Sequence, residues 1–255
     1  MSRVFRAIEP RLTRRVAIKI LNAKDNRVQA EVEHFLEEAK IVSRLTHPGI
    51  IPIYDCGIRD GEAFMVMRFM ENGSLDQHRK DGTLPPREVL LEQLATVTEG
   101  LAYAGEHGVT HHDVKPGNIL LTKEGEAKLG DFDLADTEEF QPVRGNFASP
   151  AYVSPERLYF GAEDSRGDIF SLGATIYELL TGVAPFGSAG EPEELLARRN
   201  RKAYRRLTEY GCSKEFSDLI DRMLSYSPEE RPKYQEIIPM LRAEAEKFRN
   251  RSGRP

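Results

Sequence analysis

The stretch Asp168–Thr181, D-I-F-S-L-G-A-T-I-Y-E-L-L-T, constrains the fold more than any other. Wound at 3.6 residues per turn, it carries apolar side chains on nearly every side, so it has no face to offer to water. It must be a central helix wrapped by other elements. The chain supplies candidates for the wrapping. Pro86–His107 sets Val89, Leu90, Leu94, Val97, Leu101 and Ala104 at helical spacing, and Phe216–Leu224 and Tyr234–Phe248 read as two further helices. The first seventy residues read differently. Val4, Phe5 and Ala7 alternate as a strand that breaks at Glu9-Pro10, and Arg15–Leu21 is a second strand rich in β-branched residues. A helix follows over Val28–Leu45, closed by Pro48-Gly49. Two strands, Ile50–Gly57 and Ala63–Met70, are joined by the turn Arg59-Asp60-Gly61. The polar break Glu71-Asn72-Gly73 then separates strands from helices. Strands first and helices after predict an α+β molecule of two lobes with a cleft between them.

A chain of 255 residues, 40% hydrophobic and 30% charged, has ample apolar sequence for such a core. Its net charge of −5 argues against broad nucleic-acid binding. Cys56 and Cys212 form no C-x-x-C pair, which suits a reducing, cytoplasmic setting and no disulfide framework. No apolar run reaches the roughly 20 residues that span a bilayer, and the start M-S-R-V-F-R-A lacks the order of a signal peptide. The basic end of the chain, Lys247–Pro255, reads as a solvated polar tail.

The chemistry concentrates in His111–Leu121, H-H-D-V-K-P-G-N-I-L-L. One short loop carries an acid (Asp113), a cation (Lys115) and an amide (Asn118), and the buried strand Ile119–Leu121 follows at once. A proton acceptor, a phosphate-holding ammonium and a hard metal ligand are the parts that phosphoryl transfer needs. Asp131 lies far enough downstream for a hairpin to return both acids to one cleft. Lys19 stands alone in the apolar strand V-A-I-K-I-L, where it must find an anion or else snorkel to water. His107, His111 and His112 raise the alternative of a zinc site, but no third soft ligand is in register with them.

Together these motifs resemble the eukaryotic-type protein kinases, in particular their bacterial Ser/Thr branch, over nearly the whole chain. The resemblance implies a two-lobed kinase fold in residues 1–255, with an N-lobe over about 1–70, a hinge at about 68–73, a C-lobe over about 74–248 and a polar tail over 249–255. It implies ATP and Mg²⁺ as cofactors and a protein Ser/Thr as substrate. Lys19 is implied to hold the α- and β-phosphates, with Glu38 as its acidic partner. Asp113 is implied to orient the substrate hydroxyl, Lys115 to neutralise the γ-phosphate, and Asn118 and Asp131 to ligate the metal. Val4, Ala17, Met67 and Leu120 are implied to line the adenine pocket, with Arg68, Phe69 and Met70 as the hinge. Val42, His111 and Phe132 match members of a stacked apolar spine. Ser149–Glu156 resembles the substrate-docking loop and its A-P-E motif, Asp168 the aspartate that braces the catalytic loop, and Arg231 the partner of Glu156.

Three departures from the family pattern stand out. The glycine-rich loop is missing from this sequence: Ser2 falls at its third glycine, and the first two glycines and first strand would precede Met1, so either the chain starts upstream or the N-lobe is shortened. Fewer backbone N–H groups on phosphate imply weaker ATP positioning, and Val4–Ala7 becomes an exposed sheet edge. D-F-G is D-F-D, so Asp133 replaces a conformationally free glycine. H-R-D is H-H-D, so His112 replaces an arginine that gathers an activation-loop phosphate. With Thr137 the only hydroxyl between Asp133 and Phe147, phosphorylation of that loop is expected to matter little. These departures keep a second reading open, a pseudokinase that binds nucleotide or serves as a scaffold. A small-molecule kinase is a third reading, opposed by the S-P-E segment and Arg231.

Overall fold

The computed structural model describes residues 2–22, 29–132, 149–160, 164–187 and 192–252. Four strands form one antiparallel sheet in the order β1-β2-β4-β3: β1 (Ser2–Glu9), β2 (Arg14–Asn22), β3 (Ile53–Arg59) and β4 (Glu62–Arg68). Helix α1 (Gln29–Ser43) covers one face of the sheet, burying Val32, Phe35 and Ala39 against Ala63 and Met65. Among the described residues β1 pairs with β2 alone, and Val4, Phe5 and Ile8 are exposed.

The remaining helices are α2 (Leu75–Asp81), α3 (Arg87–Glu106), α4 (Pro155–Phe160), α5 (Ser165–Thr181), α6 (Pro192–Asn200), α7 (Lys214–Met223) and α8 (Tyr234–Ser252). Helix α5 is the centre that its sequence requires, with every residue from Gly167 to Leu180 buried. Asp164 caps its start by accepting from the Arg166 amide, and Gly182 ends it at φ 85°. Around α5 lies one continuous core that includes Leu94 and Leu101 of α3, Phe216 and Ile220 of α7, and Ile237 and Leu241 of α8. The mixed architecture, a small sheet lobe and a larger helical lobe, is the predicted α+β arrangement of two lobes.

Several elements differ from the sequence expectation. The strand expected from Ile50 begins at Ile53, because residues 49–51 serve another partner. Ile50 bridges to Leu129, the Ile51 amide donates to the Leu129 carbonyl at 2.9 Å, and the Leu129 amide donates to the Gly49 carbonyl at 2.8 Å. Pro48-Gly49 therefore does more than end a helix. A Cβ on Gly49 would stand 2.2 Å from the Thr96 carbonyl oxygen, so glycine is what lets this segment lie on α3. The polar tail is also shorter than expected. Helix α8 continues to Ser252, with Arg251 donating to the Gly211 carbonyl and Arg249 3.5 Å from Glu92. Finally, α2, α4 and α6 are too short to announce themselves by periodicity, and the sequence reading did not delimit them.

Candidate active site

The loop 111–118 is shaped from below by α5. Asp168, 2% exposed, accepts the amide of His111 at 2.7 Å and that of His112 at 2.8 Å, one on each carboxylate oxygen. His112 takes the left-handed conformation (φ 65°) there, which a non-glycine residue holds only when its surroundings enforce it. The His111 ring is fully buried. Its Nδ1 accepts from the Asp113 amide at 3.2 Å, and its Nε2 faces the Gly130 carbonyl at 3.0 Å. That pattern requires the neutral Nε2–H tautomer. Burial acts the same way, holding the imidazole pKa down to about 4. His111 also stacks on Phe132, with ring centroids 4.5 Å apart.

A single 3₁₀ turn over Pro116–Asn118 folds Lys115 and Asn118 back onto Asp113. Lys115 Nζ lies 2.5 Å from Asp113 Oδ2 and donates to Ser149 Oγ at 2.7 Å. Asn118 spends both amide hydrogens on Asp113, donating to its backbone oxygen at 2.8 Å and to Oδ2 at 3.0 Å. Of the side chain only Oδ1 is left to offer. Strands β5 (Ile119–Leu121) and β6 (Ala127–Leu129) then form the expected hairpin. Its base is closed by the Gly130 amide on the Asn118 carbonyl at 2.9 Å, which sets Asp131 beside Asn118. Asp131 is half-exposed and left-handed (φ 56°), with Oδ1 3.0 Å from Lys19 Nζ.

The sheet register sorts the other candidates. Val4 pairs with Lys19, Lys19 with Met65, and Ala17 with Met67, so the five side chains share one face. Met65 and Met67 line a small apolar recess with Val42, Ile51, Ile53 and Phe132, and Asp131 stands at its wall. The half-buried lysine thus has an anion, although the one described is Asp131 and not Glu38. The side chain of Glu38 lies outside the described residues, as do Asp133, Thr137 and the rest of 133–148. Arg68 belongs to β4 and gives its amide to the Pro52 carbonyl at 3.0 Å. Phe69 and Met70 follow outside the ladder, and half-buried Leu120 bridges to Ser74.

Beyond the loop, Arg231 forms a bidentate pair with Glu156 at 2.6 and 2.7 Å, its side chain fully buried. Matching the family model for the protein kinase domain, the chain aligns over residues 1–240. The chain belongs to the protein kinase family. It is 36% identical over 189 residues to the serine/threonine-protein kinase PknL of Mycobacterium bovis, covering 72% of this chain and 47% of that protein. It is 31% identical over 265 aligned positions to PknB of Mycobacterium leprae, covering all of this chain and 42% of the relative. PrkC of Bacillus subtilis is 34% identical over 212 residues, covering 80% of this chain and 32% of the relative. The chain spans less than half the length of these curated relatives.

Seen as a kinase, the domain holds the segment 149–156 by residues that the sequence reading passed over. Tyr152 donates its hydroxyl to Glu178, and Ser171 donates to the Tyr152 carbonyl at 2.9 Å. Burial and the Glu178 carboxylate both raise the Tyr152 pKa, so the phenol stays protonated. Arg79 Nε lies 3.6 Å from Glu178. Arg157 donates to the His112 carbonyl at 2.5 Å, tying α4 to the loop 111–118. Glu178 carried a signal: it is an acid inside a helix that is otherwise apolar all round, the same kind of anomaly as Lys19. Arg157 carried none, since an arginine after A-P-E-like residues is ordinarily solvated. The zinc reading fails on geometry, because His111 is committed to Gly130 and Asp113, and His107 packs on Tyr103 at 4.3 Å. Among the described residues no group of three or more His, Cys, Asp or Glu could hold a metal, and no helix is long and apolar enough to cross a membrane.

Proposed function

We propose that this domain transfers the γ-phosphoryl group of ATP to serine or threonine hydroxyls of protein substrates. The carrying observation is Asp113 flanked at hydrogen-bond distance by both Lys115 and Asn118, with Lys115 reaching on to Ser149 of the docking segment. We take residues 1–255 as one kinase domain, with lobes meeting at about residues 68–73. In the reaction the substrate hydroxyl oxygen forms a bond to the γ-phosphorus as the bond to the β,γ-bridging oxygen breaks, and ADP leaves. Asp113 orients that hydroxyl and accepts its proton. Lys115, held between Asp113 and Ser149, meets the negative charge on the transferred group. Lys19 holds the α- and β-phosphates, with Glu38 as a further anion for it. Val4, Ala17, Met67 and Leu120 bracket the adenine, and the backbone of Arg68–Met70 meets its edge. The Asn118 oxygen and the open Asp131 oxygen are hard donors and suit Mg²⁺, which when bound would neutralise phosphate charge. Catalysis is then mainly positioning and electrostatics.

Two free and distant thiols suit the reducing cytoplasm, which we infer as its compartment. The alternative of a nucleotide-binding scaffold without transfer is disfavoured by the intact acid, lysine and amide, and by relatives named as Ser/Thr protein kinases. The test is transfer of radiolabelled γ-phosphate to a generic protein, with Asp113→Asn as comparison. The wild type is expected to exceed the variant by about 10²–10⁴-fold, the range for loss of a positioned general base. Equal transfer by the two would overturn the proposal. Stabilisation by Mg-ATP without transfer would support the scaffold instead.

A further inference from the structure

Among the described residues, the bulkiest fully buried side chain is a cation with no carboxylate partner. Arg199, in the last turn of α6, is 0% exposed, and among the described residues no carboxylate pairs with it. Its neighbour Arg198 behaves as a surface arginine should, pairing with Glu194 four residues earlier. Arg199 turns inward. It donates Nη1 to the Leu195 carbonyl of its own helix at 3.1 Å and Nη2 to the Pro150 carbonyl at 2.7 Å, and its Nε has no partner. The guanidinium carbon lies 5.6 Å from the Phe170 ring centre and 5.2 Å from that of Phe186. Burial pulls its pKa down to about 10, which still leaves it charged at neutral pH.

A buried, unpaired charge is costly, so an arrangement that retains one needs a return elsewhere. Here two aromatic faces and two carbonyl dipoles hold the cation, and one of those carbonyls belongs to the docking segment. Pro150 follows Ser149, whose hydroxyl receives Lys115. The segment is therefore gripped at both ends by arginines that share one ring. Arg231 lies 5.2 Å from the Phe170 centre and holds Glu156, while Arg199 lies on that ring and holds Pro150. Arg199 has no hydrogen bond or ion pair to Lys19, Asp113, Asn118 or Asp131. Its influence thus falls on the protein-substrate side of the site and not on the nucleotide side.

We infer that Arg199 is a positioning residue for the protein substrate: by carrying the Pro150 carbonyl it keeps residues 149–154 in register with Asp113 and Lys115. This rests on the kinase reading above. A lysine keeps the charge and one donor but loses the planar fork and the ring contacts, so it can substitute only in part.

The test compares wild type, Arg199→Met and Arg199→Lys in the full chain. Two readouts are taken: steady-state transfer to a protein substrate, and backbone amide exchange over 151–153. For Arg199→Met the KM for the protein substrate is expected to rise about tenfold, the factor matching loss of a hydrogen bond from a charged donor. The KM for ATP is expected to stay unchanged, and exchange at 151–153 to accelerate. Arg199→Lys is expected to lie between the two. If Arg199→Met does not fold, Arg199→Lys alone must show the same split. An unchanged protein-substrate KM in a folded variant overturns the inference. So does an equal rise in both KM values, which marks general loosening. If the wild type itself transfers no phosphate, the kinase reading fails separately. Exchange then decides: local acceleration at 151–153 supports the positioning role, and unchanged exchange overturns it.

Discussion

Replacing Asp168 by asparagine tests how far α5 dictates the geometry of the catalytic loop. The carboxylate receives the His111 and His112 amides, one on each oxygen, in a setting where Asp168 is 2% exposed. Asparagine matches its shape but has one acceptor. It satisfies one amide and turns an NH₂ toward the other, so one charge-assisted bond becomes a contact between two donors. Such a bond contributes about 1.5–3 kcal/mol, and the donor left behind is buried. Removing a buried anion offsets part of that loss, so about 2 kcal/mol of net destabilisation is expected. For a domain of this size that lowers Tm by about 4–8 °C. A catalytic consequence follows. His112 is held at φ 65°, and once one amide is released the loop relaxes and carries Asp113 with it. A displacement on the order of 1 Å costs about 10²-fold in rate. The assay pairs thermal unfolding by circular dichroism with phosphoryl transfer at saturating ATP. A melting temperature and turnover both equal to wild type would refute the reasoning, because they would mean the loop keeps its shape without the clamp.

Two further outcomes follow from the same core. Glu156→Gln leaves the Arg231 guanidinium buried without its anion, and unfolding in urea is expected to show a loss of about 3–5 kcal/mol; adding Arg231→Met should restore part of it, and additive losses would contradict the pairing. His111 has an ordinary pKa of 6.5 but about 4 when folded, so between those values the unfolded chain binds more protons than the native one. Its contribution is therefore fully present above pH 6.5, declines as pH falls toward 4, and totals about 3 kcal/mol. His111→Phe should flatten stability against pH in that window, and an unaltered slope would show that the ring does not titrate this way.

Much of the fold was legible because single residues violated their surroundings. A helix apolar on every side had to be central, and α5 is. Lys19 in an apolar strand demanded an anion, and the structure gives it Asp131. The spacing of Asp113 and Asp131 implied a hairpin between them, and β5 and β6 form it. Other features depend on neighbours that the local pattern does not reveal. Ile50 and Ile51 read as strand residues, yet they meet Leu129 of β6 instead of extending β3 along β4. Arg199 sits in an R-R-N run at a helix end, where periodicity and charge both predict a solvated side chain, and it is the most buried cation described.

Taken alone, then, the sequence determined the order of elements, the kinase motifs and the two altered triplets at Asp133 and His112. It did so because propensity, hydrophobic period and side-chain chemistry are local properties. Tertiary structure decided which donor meets which acceptor: Asp168 under both histidine amides, Lys115 between Asp113 and Ser149, Arg157 on the His112 carbonyl and Arg199 on that of Pro150. These pairs join residues far apart in the chain, and only packing around α5 brings them within hydrogen-bond range.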